Sequence, residues 1–116
     1  MGNDIYGSKN EELGYSVSLS NDGSTVAIGA WAGDGGGKNS GTVKVYEINS
    51  GSWEQIGSDI YGEINGDNSG GSVSLSNDGT IVAIGARLND GNGADSGHVR
   101  IYKNNSGSWE QVGSDI

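Results

Sequence analysis

Polar and apolar positions alternate along the chain in one pattern that is written twice. Val17 and Leu19 stand between Ser16, Ser18 and Ser20, Asn21-Asp22-Gly23 interrupts, and Val26-Ala27-Ile28 forms a second apolar run that stops at Gly29. A period of two over so short a stretch predicts strands. Asp-Gly between two such runs predicts a hairpin turn, because glycine reaches positive φ without a Cβ clash. The pattern places strand one at Tyr15 to Ser20 and strand two at Thr25 to Ala30. A Gly- and Asp-rich loop from Gly33 to Gly41 follows. Strand three runs from Thr42 to Ile48, Asn49-Ser50-Gly51-Ser52 turns the chain, and strand four runs from Trp53 to Ile60.

The same text returns 56 positions later: Gly14 answers to Gly70, Val43 to Val99 and Trp53 to Trp109. Residues 14–60 and 70–116 agree at 32 of 47 positions. The differences gather in loops (Trp31/Arg87, Lys38/Ala94, Asn39/Asp95) and on strand three (Lys44/Arg100, Glu47/Lys103). Residues 1–13 and 61–69 read as connectors, and 14–60 and 70–116 as the two copies. Four short strands in a repeat of this length are the mark of a β-propeller blade. Apolar residues fall on both faces of strand two (Val26 and Ile28 on one, Ala27 on the other), as in a sheet packed between neighbours. The expected fold is all-β: two four-stranded antiparallel propeller blades. A small sandwich of two hairpin pairs is the alternative, but it has less need of matched halves.

Composition changes this picture little. Leu, Ile, Val and Phe make up 22 of 116 residues and the net charge is −9, which borders on the disordered class. The regular placing of those apolar residues overrules that reading. Twenty-three glycines and no proline suit short strands and tight turns. Fifteen acidic against six basic residues argue against nucleic acid and anionic membrane as partners. With no cysteine there is neither disulfide nor thiolate chemistry, and no apolar run is long enough for a membrane span.

Gly14, Ser16-Val17, Asp22-Gly23, Val26 and Gly29-Ala30, together with the closing Ser52-Trp53-Glu54-Gln55-Ile56-Gly57, resemble the FG-GAP repeat. The resemblance covers both copies. It implies a propeller, a non-enzymatic scaffolding or binding role, and an extracellular or cell-surface location. The family's Phe-Gly is Leu13-Gly14 and Ser69-Gly70 here, and its Gly-Ala-Pro is Gly29-Ala30-Trp31 and Gly85-Ala86-Arg87. Many members carry a calcium loop between strands one and two. Ser20-Asn21-Asp22-Gly23 is too short to supply six or more oxygens to a cation.

Propellers close with about four to eight blades, so two blades leave both outer faces open. The expectation is a head-to-tail homo-oligomer, with the six-bladed trimer ahead of the eight-bladed tetramer. A piece of a longer single-chain propeller is the alternative. Candidate chemistry is sparse. His98, replaced by Thr42 in the other copy, reads as an exposed strand-edge residue. Trp53 and Trp109 are repeated and read as packing residues. Trp31 is not repeated and lies in a rim loop, where it and Asp34, with Arg87 and Asp90 of the second copy, form the candidate ligand-binding set. Such an aromatic stacks on sugar rings in lectins, so a carbohydrate-binding propeller is the competing function. No cofactor is expected. Calcium has candidate ligands at Asp90, Asn92 and Asp95, and at Glu63, Asn65, Asp67 and Ser69 of the connector.

Overall fold

The computed structural model describes residues 2–88 and 97–116. The first sheet has the order β1 (Ser16–Leu19), β2 (Thr25–Ala30), β3 (Thr42–Asn49) and β4 (Ser52–Gln55), all antiparallel, with the two-residue β5 (Ile60–Tyr61) also paired to β3. The second repeats it with β6 (Ser72–Leu75), β7 (Ile81–Ala86), β8 (His98–Asn105) and β9 (Ser108–Gln111). No helix occurs among the described residues. Each β1–β2 type turn is fastened by its aspartate. Asp22 Oδ1 accepts from Ser20 Oγ, Ser24 N and Ser24 Oγ, and Asp78 Oδ1 does the same with Ser76 and Thr80. The short acidic side chain thereby supplies the turn with the partner that the backbone lacks.

Strand four is shorter than the alternation predicts. β4 ends at Gln55, opposite Tyr46, and pairing resumes only where Ile60 meets Val43. Four residues, Ile56 to Asp59, thus span two on β3, a bulge held by Ile56 N donating to Val45 O at 2.7 Å. Gly57 lies within it at φ +68°, a region that glycine enters without penalty. The second copy reproduces the return, with Val99 and Ile116 exchanging two backbone hydrogen bonds at 3.0 Å. The segment after the bulge acts as a strap on its own sheet.

The two sheets pack face to face. Register places Ala27, Val43 and Val45 on one face of the first sheet, and Leu75, Val82 and Ile84 on the opposed face of the second. Together with Ile60 they form the core, flanked by Ile56, Val73, Tyr102 and Trp109. Polar contacts join the inner strands: Ser16 Oγ donates to Gly70 O at 2.7 Å, and Leu75 N to Ser18 Oγ at 3.0 Å. Gly29 has no room for a side chain, since a Cβ there would overlap the Gly70 carbonyl and Ser16 Oγ.

The outer faces are not equally open, which corrects the expectation of two bare flanks. Residues 2–13 lie along the outer face of the first sheet. Gly2 touches Trp53 and Ile48, Asn3 Oδ1 accepts from Trp53 N, and Glu11 pairs with Lys44 at 3.6 Å. This head is a copy of the connector between the sheets. Ser8 N donates to Glu11 Oε2 as Ile64 N donates to Asp67 Oδ2, and both turns place left-handed residues at matching positions (Asn10 and Glu12, Gly66 and Asn68). Val17 and Leu19 remain bare at 64 % and 60 % exposure.

Candidate functional site

The rim is built where connectors meet the starts of β3 and β8. Lys44 on β3 reaches Glu11 of the preceding connector at 3.6 Å and Asp59 of its own strap at 3.9 Å. Arg100 on β8 repeats the arrangement: it pairs with Glu63 of the preceding connector, and its Nε meets Asp115 Oδ1 of its own strap at 2.7 Å. One cation thus ties connector and strap to each sheet. The Arg100 hydrogen bonds, helped by Gln111 Nε2, hold the Asp115 carboxyl at about 2, and Asp115 in turn raises the Arg100 guanidinium.

His98 lies beside this pair, with Nδ1 3.7 Å from Asp115 Oδ2. Its side chain is only 9 % exposed. It is therefore not the exposed edge residue that its place beside Gly97 suggests; β8 is an interior strand, and the folded-back strap covers it. Glu63, His98 and Asp115 bring ligand-type atoms within 4.8 Å of one another, but Arg100 is already paired with both acids there.

The three predicted ligand-binding residues that are described, Trp31, Asp34 and Arg87, do not line one cavity. Trp31 Nε1 donates to Glu12 Oε2 at 2.9 Å, and its ring meets Tyr15 edge-on at a centroid distance of 6.0 Å. Asp34 instead organises its own loop, accepting from Asn39 N at 2.8 Å. It borders a polar cavity of about 270 Å³ that Trp31 does not line, shared with Lys9, Glu11, Lys44, Asp59 and Tyr61. Arg87 borders a different cavity on the second sheet. Asp90, Asn92 and Asp95 lie outside the described residues. The connector set also disperses. Glu63 turns to Arg100, Asn65 lies against Gly37, Asp67 is buried while closing its turn at Ile64 N, and Ser69 pairs its backbone with Ser40. Its alternation does not produce a single ligand shell.

What sequence reasoning missed is a slot on the second sheet. A cavity of about 280 Å³ is lined by Gly71, Ser72, Gly85, Arg87, His98 and Val99. On the first sheet the equivalent place, over Ser16, Gly29 and Val43, is filled by Gly70. The signal was present in the duplication itself, since one copy of the interface has a filled socket and the other an open one. An FG-GAP repeat model matches residues 6–46 and again 64–102, more than half of the chain. The chain belongs to the FG-GAP repeat family. No curated protein matches it. Two FG-GAP repeats imply a β-propeller-type module, and here each repeat contributes one four-stranded sheet with a connector ahead of it. The repeated Trp109 has the packing role expected of it: it lies against the core and its Nε1 donates to Ile56 O at 2.9 Å.

Proposed function

We propose that this FG-GAP chain is a non-enzymatic scaffolding module, at the cell surface or outside the cell, whose copies join head to tail into a closed propeller. The observation that carries the reading is the mismatch between equivalent faces. Val73 and Leu75 enter the junction between the sheets, whereas their counterparts Val17 and Leu19 face solvent. On the far side, Val99 is 36 % exposed where Val43 is fully buried. The part of the first sheet's outer face that residues 2–13 leave open therefore has the side chains that fit the open face of the second, in the register already used within the chain. Gly14 of one copy would fill the slot over Ser72 and Gly85 of the next, as Gly70 fills it internally. Heterologous contacts of this kind close only at whole numbers of chains. Three chains make six blades and four make eight, the former preferred as the smaller ring.

Sedimentation equilibrium tests this reading. The expected result is a species of three or four chain masses that dissociates on dilution and is lost in Leu19→Lys. A folded single chain across the micromolar range would overturn it. Binding of a glycan or protein at the rim is the competing reading; Trp31, on which it relies, is engaged edge-on by Tyr15 and through its Nε1 by Glu12.

A further inference from the structure

Gly-x-Asp-Ile occurs three times in a chain with two sheets: Gly2 to Ile5, Gly57 to Ile60 and Gly113 to Ile116. The middle copy is engaged at both ends. Ile60 pairs with Val43 of its own sheet, while Gly57 lies against Trp109 of the next sheet, whose indole donates to Ile56 O. The outer two copies are each engaged at one end. Gly113 to Ile116 has the sheet contact, through Ile116 and Val99, but among the described residues Gly113 has nothing within 4 Å of a Cβ. Gly2 to Ile5 has the tryptophan contact, and a Cβ on Gly2 would lie 2.8 Å from Trp53 Cδ1, as one on Gly57 would lie 3.0 Å from Trp109 Cδ1. Tyr6, by contrast, is 79 % exposed where its counterpart Tyr61, 48 % exposed, pairs its backbone with Thr42.

A head-to-tail junction between copies has room for one strap and is offered two. From this surplus we propose that residues 2–4 are a displaceable plug. They occupy on Trp53 the place that the Gly113 to Ile116 strap of a second copy takes on assembly. The relative hold of the two segments decides which yields. The tail is fixed by two backbone hydrogen bonds and by the Asp115 bonds to Arg100 and Gln111. The head is fixed on the sheet by one hydrogen bond, Trp53 N to Asn3 Oδ1 at 2.9 Å, and by the Gly2 contact. The head gives way. The entering strap then presents Val112 O to Trp53 Nε1, as Ile56 O is presented to Trp109. Self-association is thereby held back by the chain's own first residues, a competition within one molecule against a contact between two.

The inference rests on the head-to-tail assembly proposed above, and its test separates the two. Association constants are measured by sedimentation velocity for the full chain, Gly2→Ala and Gly113→Ala. Gly2→Ala drives a methyl into Trp53, expels the plug and strengthens association about tenfold or more. Gly113→Ala meets nothing in the single chain but clashes with Trp53 of the neighbour, so it weakens association about tenfold while the single chain keeps its melting temperature to within a few degrees. Both glycines have φ near +72° (+73° and +72°), so backbone strain is matched and cancels from the comparison. Association of all three proteins with equal constants, or weakening by Gly2→Ala, overturns the plug and leaves the assembly standing. Absence of association in every one of them, Gly2→Ala included, overturns both. Should either variant melt early, a chain lacking residues 1–5 replaces Gly2→Ala, with the same strengthening expected and the same contrary result decisive.

Discussion

The first and second sheets share most of their residues and differ in what covers them. Thr25, Ala27, Gly29, Val43 and Val45 of the first face a neighbour and are buried. Ile81, Ala83, Gly85, Val99 and Ile101 of the second occupy the same register positions and are half-buried or exposed. Backbone pairing is the same in both, so the strands form whether or not the face is covered. Local alternation and turn chemistry make the sheet, and the neighbouring sheet makes the core.

That separation is open to attack at matched positions, and glycine offers the largest effect. A methyl at Gly29 meets the Gly70 backbone, which cannot move without parting the sheets, so Gly29→Ala is expected to cost about 3 kcal/mol in urea unfolding. At Gly85 the one near group among the described residues is the Ser72 hydroxyl, which can rotate away. Gly85→Ala is expected to cost no more than about 1 kcal/mol under conditions where the chain is single. It should nevertheless abolish association by closing the slot. Equal destabilisation by the two substitutions would break the comparison.

Leucine gives the next largest contrast. Leu75→Ala removes a side chain from the core and is expected to cost about 2–3 kcal/mol, whereas Leu19→Ala in the dissociated chain should change stability by less than about 0.5 kcal/mol. Denaturant midpoints of the two variants at low protein concentration check this.

Acid pH probes the straps. Asp115 titrates at about 2 in the folded chain, below its ordinary value of 3.8, so the unfolded chain takes up its proton first as pH falls. Its contribution is present above about pH 4 and is lost between there and pH 2. Arg100→Ala should return the carboxyl toward its ordinary value, read by carbon-detected NMR titration, and should remove that part of the acid sensitivity. The smallest effect is expected at the turns. Hydroxyl and amide donors from Ser24 and Thr80 lower the Asp22 and Asp78 carboxyls, so both should titrate below the ordinary aspartate value and by similar amounts, because neither turn depends on the covering face.

Much of this was legible in the sequence because strands and turns are local. Val17 to Gly29 names its own hairpin through alternation and Asp22-Gly23, and the copy at Val73 to Gly85 doubles the message. The bulge was missed although Gly57-Ser58-Asp59 are poor strand formers and a glycine inside a strand pattern marks a bulge; what the local sequence does not carry is the return of Ile60 to Val43. The head was legible in part. Asp4-Ile5-Tyr6-Gly7 reappears as Asp59-Ile60-Tyr61-Gly62, which marks it as a connector, but Ser8 to Gly14 shares only its last glycine with Ile64 to Gly70, so the equivalence of their turns is seen only in the hydrogen bonds. The rim residues failed as a site because their partners are distant in sequence. Nothing beside Trp31 announces Glu12, and nothing beside His98 announces Asp115.

The most direct test uses methyl groups. In an equimolar mixture of chains, one labelled for observation at Leu and the other at Val and Ile, contacts can arise only between molecules. The account predicts intermolecular NOEs from Leu19 to Val99 and Ile101, counterparts of the Leu75, Val43 and Val45 cluster within the chain. A concentrated sample in which the Leu19 methyls show no protein neighbour across molecules and remain open to a soluble paramagnetic probe would contradict it.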